Sequence, residues 1–254
     1  MEFDKKGILA RAKASAQETT AVTDEGLRAY MLKVYNYMTT GLLLTGIIAY
    51  FFGKASIVTN DMGQIIGVTQ IGALLFGSPL KWVVMLAPLG FVFYLSARIN
   101  KMSVVSAQTT FWIFSSIMGL SLASIFIQFT GASITRVFFI TSGTFAAMSL
   151  YGYTTKRDLT GLGSFLFMGL IGIIIASIVN WWIQSPIMYF VISVIGVLVF
   201  VGLTAYDTQS IKNMYYAGDA EETGSKKALM GALRLYLDFI NLFILLLQLF
   251  GQRR

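Results

Sequence analysis

The chain has 254 residues, of which 56% are hydrophobic and only 12% are charged. Soluble domains carry about a quarter charged residues, so this composition excludes a soluble globular protein and indicates an integral membrane protein. The chain has no cysteine and no histidine, which excludes thiolate and imidazole metal sites and means that any switch near neutral pH must use a carboxylate.

The chain begins with a segment that mixes acidic and basic side chains and has no apolar core. We predict that residues 1–28 form a charged, cytosolic and partly disordered tail and not a signal peptide. The remainder, 29–254, is read as one domain. Its apolar runs are about 20 residues long, which favours helices over the alternating pattern of a barrel. The fold class is therefore all-α integral membrane, with seven transmembrane helices predicted near residues 31–52, 82–100, 105–129, 134–153, 160–182, 186–214 and 227–250.

The longest connection in this scheme, residues 53–81, is rich in glycine and only mildly apolar. It is read as an external loop or short hairpin at the membrane interface, with a re-entrant segment as the alternative.

The distribution of positive charge predicts the orientation of the helices in the membrane. Most Lys and Arg residues lie in the N-terminal segment and the even-numbered connections, and this predicts a cytoplasmic N-terminus and an external C-terminus. The net charge of +7 is thus explained by basic residues on the cytoplasmic side of the predicted membrane helices, and nucleic acid is not an expected partner.

Two acidic residues, Asp207 and Asp238, lie inside the last two predicted helices. A central Asp in a membrane helix costs roughly 2.5 to 3.5 kcal/mol, so both side chains should face the interior of the bundle. They are equidistant from the polar turn at 222–223, and antiparallel helices would hold them at the same depth. Two carboxylates in contact titrate as a unit. The pair is therefore a candidate pH sensor and a binding site for a hard cation or a proton.

The sequences around these aspartates are YDTQSIK, Tyr206–Lys212, and LYLDFINLF, Leu235–Phe243. They resemble the signature of the Bax inhibitor-1 (TMBIM) family, in its bacterial YccA- and YetJ-like branch. The resemblance implies a central seventh helix wrapped by two three-helix layers, location in the bacterial inner membrane, and a pH-sensitive calcium leak gated by the two aspartates. It also implies that Arg98, at the end of the second helix, acts as a latch on the pair.

Calcium is thus the expected bound or transported ion, with protons, and no tightly bound cofactor is expected. Calcium takes six to eight oxygen ligands, so a weak site at Asp207 and Asp238 needs help from backbone, water and side chains. Possible modulators are Thr204, Thr208 and Asn241, together with Arg234, which lies one turn before Asp238 and is expected to pair with it.

Three other functions remain open from the sequence. The aspartates are structural if Arg98 and Arg234 simply neutralise them. An intramembrane aspartyl protease also uses two Asp on adjacent helices, but Asp238 lacks the Gly-x-Gly-Asp setting, and we do not expect an enzyme. The third is a membrane-embedded regulatory protein that binds a membrane protease or a partner in a stress or death pathway through its charged N-terminal segment.

Overall fold

The computed structural model describes the backbone of residues 2–60 and 64–254 and the side chains of residues 24–60 and 64–254. The chain is almost entirely helical. Its α-helices are α1 (Glu2–Ala55), α2 (Gln70–Gly72), α3 (Leu80–Arg98), α4 (Val104–Leu122), α5 (Ile125–Gln128), α6 (Gly131–Thr154), α7 (Thr160–Ile183), α8 (Pro186–Asn213) and α9 (Glu221–Phe250).

Helix α1 starts much earlier than the predicted residue 31. The apolar pattern that predicts a membrane helix begins near that residue, whereas the backbone is already helical from Glu2. The backbone of the predicted tail is therefore helical over most of its length. The side chains of residues 1–23 lie outside the described part of the chain, so the cytosolic location of this segment stays a prediction.

The long connection after α1 contains a short antiparallel hairpin, as one of the two readings predicted. Strand β1 (Ile57–Thr59) pairs with β2 (Ile65–Val68), with an irregularity after Val58. Helix α2 and a π-helical turn (Ala73–Gly77) then lead into α3. Gly72 packs directly on the backbone carbonyl of Ser56, where a Cβ atom would collide. Helix α2 is thereby packed against the end of α1.

Six helices among the described residues are long and apolar enough to cross a membrane: α1, α3, α4, α7, α8 and α9. These six spans establish a multi-pass, all-α membrane protein. Helix α6, which the sequence predicts as a further span, is not among them. It has 24 residues, but Arg136 and many Ser and Thr side chains make it less apolar.

Helix α9 is the most buried of the six candidate spans. In its most apolar stretch 72% of residues are buried, against 11 to 33% in the other spans. It packs against α8, α1, α6 and α4. On one side the ring of Tyr236 is fully buried against Phe111 and Phe114 of α4. Its hydroxyl lies 2.7 Å from Thr45 Oγ1 of α1. This polar contact joins α9 to α1, whereas Asp238, two residues further along α9, lies beside Asp207 of α8.

Candidate functional site

Asp207 lies in the C-terminal half of α8, where two neighbouring helices approach very closely. A Cβ atom on Gly152 of α6 would collide with the carbonyl oxygen of Ala205, and one on Gly163 of α7 would collide with the ring of Tyr206. Glycine at both positions lets α6 and α7 clamp the turn that precedes Asp207. The carboxyl group is consequently held in the bundle, with only 16% of its side chain exposed.

Asp238 lies near the middle of α9 and is 5% exposed. Its carboxyl group is within hydrogen-bonding reach of the Asp207 carboxyl group. Residues equally far from the α8–α9 turn therefore meet, as the spacing in the sequence predicts. Oδ2 of Asp238 is buried and accepts no hydrogen bond from an N–H or O–H group among the described residues. Such an atom is costly in a protein interior and is a functional candidate in a membrane bundle.

Arg234 pairs with a different carboxylate from the one predicted. The expected partner was Asp238, one turn along the same helix. Instead, Nη1 of Arg234 lies 4.0 Å from Oδ1 of Asp207 on α8. The prediction was wrong because the carboxyl group of Asp238 turns toward the helix interface, whereas 46% of the Arg234 side chain is exposed. The cation therefore lies at the edge of the aspartate pair.

Arg98 lies in the last turn of α3 and is exposed. Within the part of the chain whose side chains are described, it forms no ion pair and is not in contact with Asp207 or Asp238. Its proposed latch role stays a prediction.

The three neutral candidates around the pair bond to backbone oxygens of their own helices. Thr204 donates to the carbonyl of Phe200, Thr208 to that of Thr204, and Asn241 to that of Leu237, each at 2.8 Å. Among the described residues, none of the three hydrogen-bonds to an aspartate. Their side-chain oxygens retain lone pairs and can still accept or coordinate.

A chain of hydroxyl groups runs from α1 to α8 beside the pair. Tyr35 lies 2.6 Å from Ser149 Oγ on α6, which is 3.0 Å from Thr208 Oγ1. The sequence did not predict these hydrogen bonds, because Tyr35 and Ser149 are separated by 114 positions. No local pattern signals such a contact. These three hydroxyl groups connect Thr208, the residue after Asp207, with α1.

Asp207 and Asp238 form a pair of carboxyl groups, not a larger acidic cluster, within the described part of the chain. Among the described side chains, no group of three or more acidic residues is positioned to hold a metal ion. Two carboxyl groups provide at most four oxygens, and calcium takes six to eight. Backbone, hydroxyl and water oxygens would have to complete the shell of a calcium ion at this position.

Comparison with known proteins finds one matching family and several bacterial relatives. Residues 27–254 match the family described as inhibitor of apoptosis-promoting Bax1. The chain is 49% identical over 231 residues to the uncharacterized protein RP147 of Rickettsia prowazekii, covering 91% of this chain and 92% of the relative. It is 47% identical over 232 residues to the inner membrane protein YbhL of Escherichia coli K12, covering 90% and 94%. An uncharacterized protein of Caulobacter vibrioides is 43% identical over 237 residues, or 91% of each chain.

Proposed function

The chain belongs to the Bax inhibitor-1 family, and we propose that it is a pH-sensitive, calcium-permeable leak channel or transporter gated by the Asp207–Asp238 pair. One observation carries the proposal: two carboxyl groups meet inside a bundle of apolar helices, and one oxygen of Asp238 is buried without a partner. Ionisable residues inside membranes are expensive and usually mark an ion pathway or a proton relay.

Protonation of the pair sets its attraction for cations. With one shared proton the pair carries a single negative charge, and after loss of that proton it carries two. The doubly charged pair is a stronger ligand for a hard cation. Thr204, Thr208, Asn241, backbone and water supply the remaining oxygens. A weak site suits conduction, because an ion must leave as readily as it enters.

Arginine competes with the cation for the same carboxylates. Arg234 already lies at the edge of the pair, 4.0 Å from Asp207. Arg98 is proposed to move toward the doubly charged pair and close the pathway. Protonation weakens the attraction of both arginines and favours the open state. Low pH therefore opens the pathway, and high pH strengthens ion binding while closing it.

We also propose that α6 is a seventh span. Contacts at its two ends support this. Near its start, Ser133 Oγ accepts a hydrogen bond of 3.0 Å from the backbone of Gln252, just beyond the end of α9. Near its end, the carbonyl of Tyr153 accepts one of 2.8 Å from Lys212, at the opposite end of the α8–α9 hairpin. An odd number of spans puts the termini on opposite sides. The N-terminus is then cytoplasmic and the C-terminus external, with α9 central and the other spans in two layers of three.

The proposal is tested by calcium flux into liposomes that contain the purified protein, at about pH 6 and about pH 8. Wild-type flux is expected to be larger at the lower pH, and Asp207→Asn or Asp238→Asn is expected to remove the difference. Equal flux from protein-containing and empty liposomes at both pH values would refute the leak.

A further inference from the structure

A long groove opens between α1 and α6, two helices that are separated over most of their length and are joined by the hydrogen bond between Tyr35 and Ser149. Its volume is about 1080 Å³, and Phe239 of α9 lies at its floor. On α1 the groove extends from Arg28 to Phe51, a distance of about 35 Å in a helix. This matches the thickness of the hydrocarbon core of a bilayer, about 30 Å.

The walls of the groove are apolar and accessible. Leu43, Ile47 and Phe51 on α1 and Leu150 on α6 are each between 53 and 64% exposed. Gly46 lies in the same wall, and a Cβ atom added there would meet no atom within 4 Å. Since α1 is a candidate membrane span, the open side of the groove faces lipid. The space is therefore accessible to an acyl chain from the surrounding bilayer.

One end of the groove is basic. Arg28 is the charged residue that lines it, and it forms no ion pair with a described side chain. Across the groove at the same end is Tyr153, whose ring faces the ammonium group of Lys212 at 5.1 Å. Asp24 and Glu25 lie in the preceding turn of α1, outside the lining. An apolar groove with a cation at one end is complementary to a phospholipid, which has apolar acyl chains and a negatively charged phosphate at one end.

We propose that this groove binds one phospholipid of the surrounding membrane, with its phosphate against Arg28 and an acyl chain between α1 and α6 that reaches Phe239. The volume of the groove, about 1080 Å³, slightly exceeds the usual range of small-molecule sites, about 300 to 1,000 Å³. The lipid fills space that neither helix covers and supports the separation of α1 from α6. This site does not depend on the proposed calcium leak.

The experiment uses variants that place a larger side chain in the groove from either wall. Gly46→Leu places a side chain in the open space between the walls, and Ala146→Phe fills the groove from α6. Gly172→Leu is the matched control: it introduces the same side chain at an exposed glycine of α7 that also has no neighbour within 4 Å. Arg28→Gln removes the cation, and Arg136→Gln is its control on the exposed surface of α6.

Each protein is reconstituted in nanodiscs of phosphatidylglycerol and phosphatidylcholine, and the phospholipid retained after extraction into detergent is counted by native mass spectrometry. A photoreactive phospholipid identifies the labelled peptides. Wild type, Gly172→Leu and Arg136→Gln are expected to retain one lipid that labels α1 and α6. Gly46→Leu and Ala146→Phe should lose it, and Arg28→Gln should retain it in a smaller fraction of molecules.

The proposal is overturned if the groove-filling variants retain as much lipid as the controls, or if labelling is spread evenly over all lipid-facing helices, which indicates annular lipid only. Crosslinking of α1 or α6 to a second copy of the chain in place of lipid would also overturn it. Circular dichroism and melting temperature of each variant establish that it is folded. If one groove variant unfolds, the other decides the outcome.

Discussion

The guanidinium group of Arg234 lies 4.0 Å from the Asp207 carboxylate across the α8–α9 interface, although Asp238 is one turn away on its own helix. The distance is too long for a strong charge-assisted hydrogen bond. Nearly half of the arginine side chain is exposed, so a large contribution to stability is not expected. Arg234 is better placed to adjust the charge of the aspartate pair than to fasten the helices together.

The first prediction separates the two arginines as gating residues. Arg234→Gln removes the positive charge beside Asp207, so full ionisation of the pair becomes less favourable. The pH at which leak falls is expected to move upward, by about one pH unit for each 1.4 kcal/mol of lost interaction. Arg98→Gln is expected to raise leak at about pH 8, because the latch is absent. Both are measured by calcium flux across about pH 6 to 9.

These two variants are matched in chemistry, because each replaces an arginine with glutamine. If Arg98→Gln has wild-type flux at every pH and Arg234→Gln leaks at every pH without any transition, the latch is Arg234. Wild-type behaviour of both would show that neither arginine controls the gate.

The second prediction concerns the close approach of α6 to α8. A Cβ atom on Gly152 would strike the backbone carbonyl of Ala205, so Gly152→Ala must push the helices apart. A loss of about 1 to 3 kcal/mol of stability is expected. Gly143→Ala, on the same helix, has no neighbour within 4 Å and should be neutral or stabilise by up to about 1 kcal/mol. Melting temperatures in one detergent compare them. Equal melting temperatures for the two variants would show that α6 and α8 are not in backbone contact.

A third prediction tests the polar contact that orients α9. Tyr236→Phe removes a buried hydroxyl that lies 2.7 Å from Thr45 Oγ1, while Thr45 keeps its 2.8 Å bond to the carbonyl of Ser115. A loss of about 1 kcal/mol is expected, as for hydrogen bonds between membrane helices. A double-mutant cycle with Thr45→Val gives the coupling between the two side chains. Strict additivity of the two substitutions would rule out the contact.

A fourth prediction concerns Asp158, which precedes α7 and lies outside the candidate membrane spans. The Thr160 hydroxyl and the Thr160 backbone N–H both donate to Asp158, and they lower the pKa of its carboxyl group from the ordinary value of 3.8. A lowered pKa stabilises the folded state above about pH 4, and the effect is lost as pH falls through the folded-state pKa. Asp158→Ala should therefore melt below wild type at about pH 7. The difference should narrow below about pH 4, whereas a constant difference would exclude a contribution from the charged form.

The sequence predicted the aspartate pair because the pair depends on local regularities. Helical periodicity, the depth of each residue and its distance from one turn are enough to bring Asp207 and Asp238 together. Other features depend on contacts distant in sequence. The Tyr35–Ser149–Thr208 chain joins three helices, and no single-helix pattern reports it. The prediction that Arg234 pairs with Asp238 was wrong for a related reason. The i, i+4 rule describes an isolated helix, and here the neighbouring helix provides the carboxylate with which Arg234 pairs.

The last prediction tests the aspartate pair itself. Replacing either Asp with Asn keeps the size and polarity of the side chain but removes one charge and the coupling between two acids. In wild type, raising the pH across about pH 6 to 8 should strengthen calcium binding and reduce flux, because the pair gains a second charge that attracts both calcium and arginine. Each variant should lose this transition in both measurements.

Calcium binding to each variant should also be weaker by about tenfold or more, because one charge-assisted contact is worth about 1.5 to 3 kcal/mol. Glu222→Gln is a suitable control, since it removes an exposed acid that pairs with Lys226 at 2.8 Å near the start of α9. It should leave flux and calcium affinity unchanged. Isothermal titration and liposome flux on the same preparations give both quantities. If the pH transition persists in Asp207→Asn and in Asp238→Asn, the proton that controls the leak is bound elsewhere, and the proposed gate is wrong.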